Sequence, residues 1–239
     1  MPNWVYNALN IQGKPEQLEQ LKTQLNQPFS VIHDSWNIET GKMEKTPTSY
    51  NNPIFAFWNI VKPDNLDTYF GEQPKHDPTQ PITFDSDHWY DWNIRNWGTK
   101  WDVANKDENS PYNDTDMETT EKAVIYTFNT AWSVPLPALI NLSSQYPELI
   151  LHLFYQEETG WGGETEIMNG KIIRDMSYDS QCRDCDALDT MEYCENDCGE
   201  VCSSCHWLGE ADLDSVAECD EHKVFLDEEH IPQYRLDNA

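Results

Sequence analysis

The residues best suited to do chemistry in this 239-residue chain are cysteines near its C-terminal end. Cys182 and Cys185 form one C-x-x-C pair, and Cys202 and Cys205 form a second. Sixteen residues lie between the pairs, a spacing that reads as a four-thiolate zinc site. Each pair can turn back so that both sulfurs face one ion, and two such turns complete a closed tetrahedron. A closed shell leaves no position for water or substrate, so the pattern predicts a staple rather than a catalyst. Cys194, Cys198, Cys219 and His222 have the spacing for a second site, so one or two zinc ions are expected. Alternatively, His206 enters one site and a cysteine stays free.

Other cysteine chemistries fit less well. Asp184, Asp186 and Glu200 lie beside the pairs and would raise the thiol pKa values, which opposes redox work. Cys202-Ser-Ser-Cys-His206 matches a haem-attachment pattern, but that attachment requires export. The opening Met1-Pro-Asn-Trp-Val-Tyr lacks the regions of a signal peptide. No run of eighteen apolar residues is present, so no membrane span is expected. A cytoplasmic protein is therefore expected, and there an odd set of seven cysteines points to metal ligation rather than disulfides.

The formal charge is −28. From Asp175 onward nineteen acidic residues face three basic ones. Such a field repels phosphate backbones and attracts basic surfaces. It serves either as a solubilising surface or as a docking surface for a basic protein, by imitation of nucleic acid. Asp212, Asp214, Glu218, Asp220 and Glu221 are the candidate partner-binding acids. Paired carboxylates such as Glu157-Glu158 recur by composition alone among 43 acidic residues. No phosphate loop or dinucleotide fingerprint accompanies them. Ser133 lies in no nucleophile-elbow context, and His152 alternates with leucines as a strand residue does.

These residues need elements to position them. Residues 3–12 read as a strand, Pro15 to Asn26 as a helix with Leu18, Leu21 and Leu25 on one face, and Phe29 to His33 as a second strand. Ile54 to Val61 is a buried run. Residues 71–87 and 105–120 read as loops, and His88 to Trp97 as a helix with Trp89, Trp92 and Ile94 inward. A second β-α-β unit follows. It has a strand from Ala123 to Phe128 and a helix capped by Ser133, with Leu136, Leu139 and Ile140 inward. A strand from Leu149 to Tyr155 completes it. Asn169-Gly170 predicts a hairpin turn between Glu164–Met168 and Lys171–Met176. Two β-α-β units in one sheet would make a ferredoxin-like arrangement. Lys223 to Leu226 is expected to return as a strand or to dock on the cysteine segment.

Two strings are distinctive: Asn96-Trp-Gly-Thr-Lys-Trp-Asp102, and Phe128-Asn-Thr-Ala-Trp-Ser133 followed by Pro135. With the Met1-Pro-Asn-Trp start, they resemble the YubB-like proteins of phages and plasmids. The resemblance covers roughly residues 1–178. It implies a ferredoxin-like fold and a mobile-element origin, and it implies no catalytic mechanism. The cysteine-rich segment after Ser180 departs from the family pattern. Physically, Gly98 would permit a turn that packs Trp97 and Trp101 on one core face, with Lys100 and Asp102 pairing or capping locally. The functional alternative is a stacking patch of Arg95, Lys100 and Trp101 for a base or nucleotide.

The expectation is an α+β protein. Residues 1–178 form a ferredoxin-like α/β sandwich, and residues 179–239 form an acidic, cysteine-rich, zinc-bound module. The leading function is a non-enzymatic phage-type accessory protein. It would bind a basic, nucleic-acid-binding host protein in the host cytoplasm, in the service of anti-defence. Nucleic-acid or nucleotide binding through the aromatic sheet is the second reading, opposed by the charge. A metal-dependent enzyme is the third.

Overall fold

The computed structural model describes residues 3–72, 83–106, 114–182, 185, 187–189, 191–193, 199–208, 215, 218 and 219; the side chains of residues 33–36 and 193 lie outside that set. Two compact units result: residues 1–156 with 164–175, and residues 157–163 with 176–239.

The first unit opens with β1 (Trp4–Gln12) and α1 (Pro15–Leu25). Pro15 fits the first helical turn, where no amide donor is needed, and Leu18, Leu21 and Leu25 are buried. Next come β2 (Phe29–Asn37) and β3 (Lys42–Tyr50), which pair with each other as a two-stranded sheet. Phe57–Asn59 forms a 3-10 turn, followed by α2 (Leu66–Tyr69) and α3 (Trp89–Asn96). Then come β4 (Asp116–Thr119), β5 (Ala123–Ala131), α4 (Leu136–Gln145), β6 (Ile150–Glu157), β7 (Gly162–Met168) and β8 (Lys171–Tyr178). Two short strands, β9 (Met191–Tyr193) and β10 (Glu200–Cys202), make a separate antiparallel pair.

The six-stranded sheet runs β4-β5-β1-β6-β7-β8. Its first four strands carry the ferredoxin-like pattern. From β1 the chain crosses over β5 to reach β4, and from β5 it crosses over β1 to reach β6. These are two interleaved β-α-β units, with β7 and β8 added at one edge. The expected first unit is corrected here. Phe29 to His33 does not return to the main sheet but turns into the β2–β3 hairpin. The true second strand is β4, inside the stretch 105–120 that composition read as loop. All four β4 residues are exposed, so no apolar alternation marks it.

Burial follows the strand period. Val5, Asn7, Leu9 and Ile11 face inward on β1, opposite Thr130, Phe128, Tyr126 and Val124 of β5. Buried Asn7 donates its amide to Val5 O at 2.8 Å and Thr130 Oγ1 at 2.9 Å. The run 54–61 fills the core as expected. Phe55 stacks on Phe128 at 5.0 Å and meets Tyr126 at 4.9 Å and Phe57 at 5.6 Å. The hairpin turn is also as expected: Asn169 and Gly170 have φ of 50° and 68°, values suited to a primed turn.

The two distinctive strings touch each other. Thr99 Oγ1 donates to Ala131 O at 3.0 Å, and the Ser133 hydroxyl donates to Gly98 O. Gly98 has φ of +84°, and a Cβ there would meet Pro137 Cδ at 2.5 Å and Val134 O at 2.9 Å. Glycine is therefore required by both conformation and space. Ser133 does not cap α4, which starts after Pro135 without a side-chain cap. The inner face of α4 is Ala138, Leu139, Leu142 and Ser143, so Leu139 faces inward as predicted while Leu136 and Ile140 are only half-buried. In α3, Trp92 is buried while Trp89 and Ile94 are half-buried.

Trp97 and Trp101 do not share a core face. Trp97 is buried against Trp92 with its Nε1 donating to Val61 O at 3.0 Å, whereas Trp101 is 40% exposed. Nor does Asp102 pair with Lys100. Its oxygens accept from the amides of Phe57 at 2.8 Å, Trp58 at 2.9 Å and Val103 at 2.7 Å. Asp102 thus caps the 3-10 turn that delivers Phe57 to the core. Burial of this carboxylate outweighs those amide bonds and pushes its pKa up to about 6.

Candidate metal centre

The second unit brings the two C-x-x-C pairs together. Cys182 pairs across at its backbone with Ala187, its N–H donating to Ala187 O at 2.9 Å beside the Gln181–Leu188 bridge. Cys202 ends β10, and its N–H donates to Trp207 O, also at 2.9 Å. Both pairs therefore sit in loops closed five residues on by the same kind of hydrogen bond. In the second loop His206 adopts φ of 64° and donates its N–H to Cys202 O at 2.8 Å. Each loop holds its first cysteine buried and presents its second outward: Cys182 and Cys202 are buried, Cys185 is exposed and Cys205 half-buried.

The four sulfurs lie within 4.8 Å of one another. Cys182 and Cys205 are 3.6 Å apart, and Cys185 and Cys202 are 3.8 Å apart. These separations are far beyond a disulfide. They match the edge of a tetrahedron around zinc, about 3.8 Å for a Zn–S bond of about 2.3 Å. The donor set, number and spacing fit a metal ion. Four sulfurs would complete the tetrahedron, so no coordination position would remain for a substrate. Trp207 packs on Cys182 and Cys202, with Met191 and Cys205 against the same cluster, giving the sulfurs an apolar backing. Burial, then the neighbouring sulfurs, push the Cys205 thiol pKa up, the opposite of an activated redox thiol. A bound cation would reverse that balance.

Of the expected second set, Cys194, Cys198 and His222 lie outside the described residues. Cys219 is buried and is not one of the four clustered sulfurs. Of the expected partner-binding acids, Glu218 is exposed, and Asp212, Asp214, Asp220 and Glu221 lie outside the described residues, as does the segment 223–226.

Arg95, Lys100 and Trp101 do not converge into one ligand patch. The Arg95 guanidinium is taken up by its own chain, donating to Phe84 O at 2.8 Å, Ser86 O at 2.7 Å and Asp87 at 2.6 Å. The Lys100 ammonium sits over Trp101 at 4.6 Å, Trp132 at 4.7 Å and Tyr90 at 5.7 Å. Trp132 was not singled out by sequence reasoning, and its positive φ of 72° is the conformation that turns it out to this cluster. Trp4 of β1 lies 6.0 Å from Trp101. His152 meets Glu164 at 3.4 Å as an ordinary strand neighbour. Glu157 is buried and accepts from the Thr159 amide in the turn that follows. Among the described residues, no helix is long and apolar enough to cross a membrane.

Residues 97–202 match the family model described as the ferredoxin-like domain in Api92-like protein. The match includes the second distinctive string and the first from Trp97 onward, and it extends through Cys202, beyond residue 178; residues 1–96 fall outside it. No curated protein matches the chain. Among solved structures, the chain is similar to a crystal structure of protein Api92 from Yersinia pseudotuberculosis. Identity is 9%, the TM-score is 0.48, and 76% of this chain and 100% of that one are covered.

Proposed function

We propose that the chain is a non-enzymatic accessory protein of a phage or related element, in which a zinc-stapled acidic module binds a basic, nucleic-acid-binding host protein. Counter-defence in the host cytoplasm is the purpose this reading assigns to it. The observation that carries the reading is the closed four-sulfur arrangement of Cys182, Cys185, Cys202 and Cys205. With no position left for a substrate, zinc there acts as a scaffold. The scaffold holds a segment with nineteen acids and three bases after residue 174, which draws basic surfaces and repels phosphate. Four thiolates on one divalent ion would add two further negative charges.

The test uses the zinc-loaded full chain. Capture of a basic host protein should weaken with salt, and it should disappear when Asp212, Asp214, Glu218, Asp220 and Glu221 are changed to their amides with zinc content unchanged. Undiminished capture by that variant contradicts the reading.

A second reading is supported by the half-exposed Trp101 and Trp132 around Lys100, with Trp4 beside Trp101. They offer stacking surfaces for single-stranded nucleic acid. Binding at low salt that vanishes with Trp101→Ala would favour it; no binding at low salt, where attraction is greatest, would end it.

A further inference from the structure

We propose that the first unit carries a binding pocket for a planar aromatic molecule bearing one anionic group, formed between the β2–β3 hairpin and the segment 58–106. The cavity measures about 460 Å³, within the range of small-molecule sites. One wall is a run of nearly parallel rings. Phe29 stacks on Tyr50 at 4.7 Å and 12°, and on Trp58 at 5.9 Å and 14°. Trp58 in turn faces Phe70 at 6.5 Å and 29°. A flat ring entering beside them continues the stack, which is how sequence-tolerant base and ring binding works.

Charge selects the sign of the ligand. Lys45 and Lys106 line the cavity and both are exposed, so they stand where a charged group would meet solvent. Among the described residues, Asp102 is the one acidic residue of the lining. Among the described lining residues two cations therefore accompany one carboxylate, in a chain whose formal charge is −28. Asp102 is also poorly placed to hold a cation. Its oxygens are already used by the amides of Phe57, Trp58 and Val103. Burial, then the nearby Asp102, push the Tyr50 phenol pKa up to about 12, so this hydroxyl stays neutral at physiological pH. The Tyr69 hydroxyl is already committed, donating to Asn93 Oδ1 at 2.9 Å. Lys45 is held at the wall by donating to Phe70 O, which leaves further ammonium protons for an anion. Nucleoside monophosphates and aromatic carboxylates share this chemistry.

This site is independent of the acidic-partner reading, and neither outcome for one bears on the other. The test is calorimetric titration of the zinc-loaded full chain with adenosine 5′-monophosphate, indole-3-carboxylate, adenosine and benzyltrimethylammonium. At least one anionic probe should bind with one-to-one stoichiometry, and which one binds separates the two sources. Where the nucleotide binds, adenosine should bind at least about tenfold more weakly. The Lys45→Gln/Lys106→Gln variant should weaken the anion by a similar factor with its near-ultraviolet dichroism unchanged. No saturable binding of either anion, tighter binding of the benzyl cation, or unchanged affinity in the double variant would each overturn the proposal.

Discussion

The sheet unit and the cysteine unit meet the same physical demand with opposite materials. Ordering a chain costs roughly 1–2 kcal/mol per residue in backbone entropy. The sheet unit offsets this with interlocked aromatic and aliphatic burial: Phe55, Phe57, Tyr126 and Phe128 are all at 1% exposure or less. Among its described residues, the cysteine unit has little of that. Of the described apolar residues in the segment 180–208, Val201, Trp207 and Leu208 are buried and Met191 half-buried, while Leu188 is 40% exposed. What it has is four sulfurs at metal-binding separation. One unit should therefore be insensitive to metal and sensitive to core packing, and the other the reverse.

The largest expected effect is on the metal side. Structural zinc in small modules supplies about 10–16 kcal/mol of apparent binding free energy near neutral pH. Cys202→Ser should abolish stoichiometric zinc and open residues 176–219 to proteolysis, while backbone amides of β1, β5 and β6 remain protected from exchange. Loss of protection in those strands would break the division.

Next is the core. Phe55→Ala removes a ring packed against three others and should cost about 3–5 kcal/mol in denaturant unfolding of the sheet unit. Zinc content should stay at the wild-type value; a parallel loss of zinc would mean that the units do not fold separately.

A smaller and more specific effect concerns pH. Asp102 has its folded-state pKa raised from 3.8 to about 6, chiefly by burial. Below the ordinary value both states are protonated. As pH rises from 3.8 towards 6 the unfolded chain releases its proton first, so stability falls across that window. Asp102→Asn should remove this slope in a series of melts, at the cost of a weaker cap on the turn at Phe57–Asn59. An unchanged slope would move the titration to another group.

The smallest effect is at Tyr126, whose hydroxyl is buried without a hydrogen-bond partner among the described residues. Tyr126→Phe should be neutral or stabilising by about 1 kcal/mol. Clear destabilisation would place a partner at that oxygen.

Much of this division was legible in the sequence, and the gaps have physical causes. The α1 stripe, the Ile54–Val61 run, the Asn169-Gly170 turn and the two C-x-x-C pairs each carry a local signal that the fold keeps. The strand β4 carried none, because Asp116, Met117, Glu118 and Thr119 are exposed and are held by pairing with β5. The separate fates of Trp97 and Trp101 depend on the turn at Gly98, and the sequence announces the turn without its direction. The pocket at Tyr50, Trp58 and Asp102 draws on residues far apart in the chain, and no spacing rule joins them. At the candidate metal centre, the spacing predicted which four cysteines come together. The shared backbone closure, Cys182 to Ala187 and Cys202 to Trp207, required the structure.

The most direct test is X-ray absorption at the zinc edge on the purified full chain, with metal content measured on the same sample. The account predicts a zinc shell of four sulfurs at about 2.3 Å and no nitrogen or oxygen ligand. A metal-free chain, or a shell containing oxygen from water, would contradict a closed structural centre.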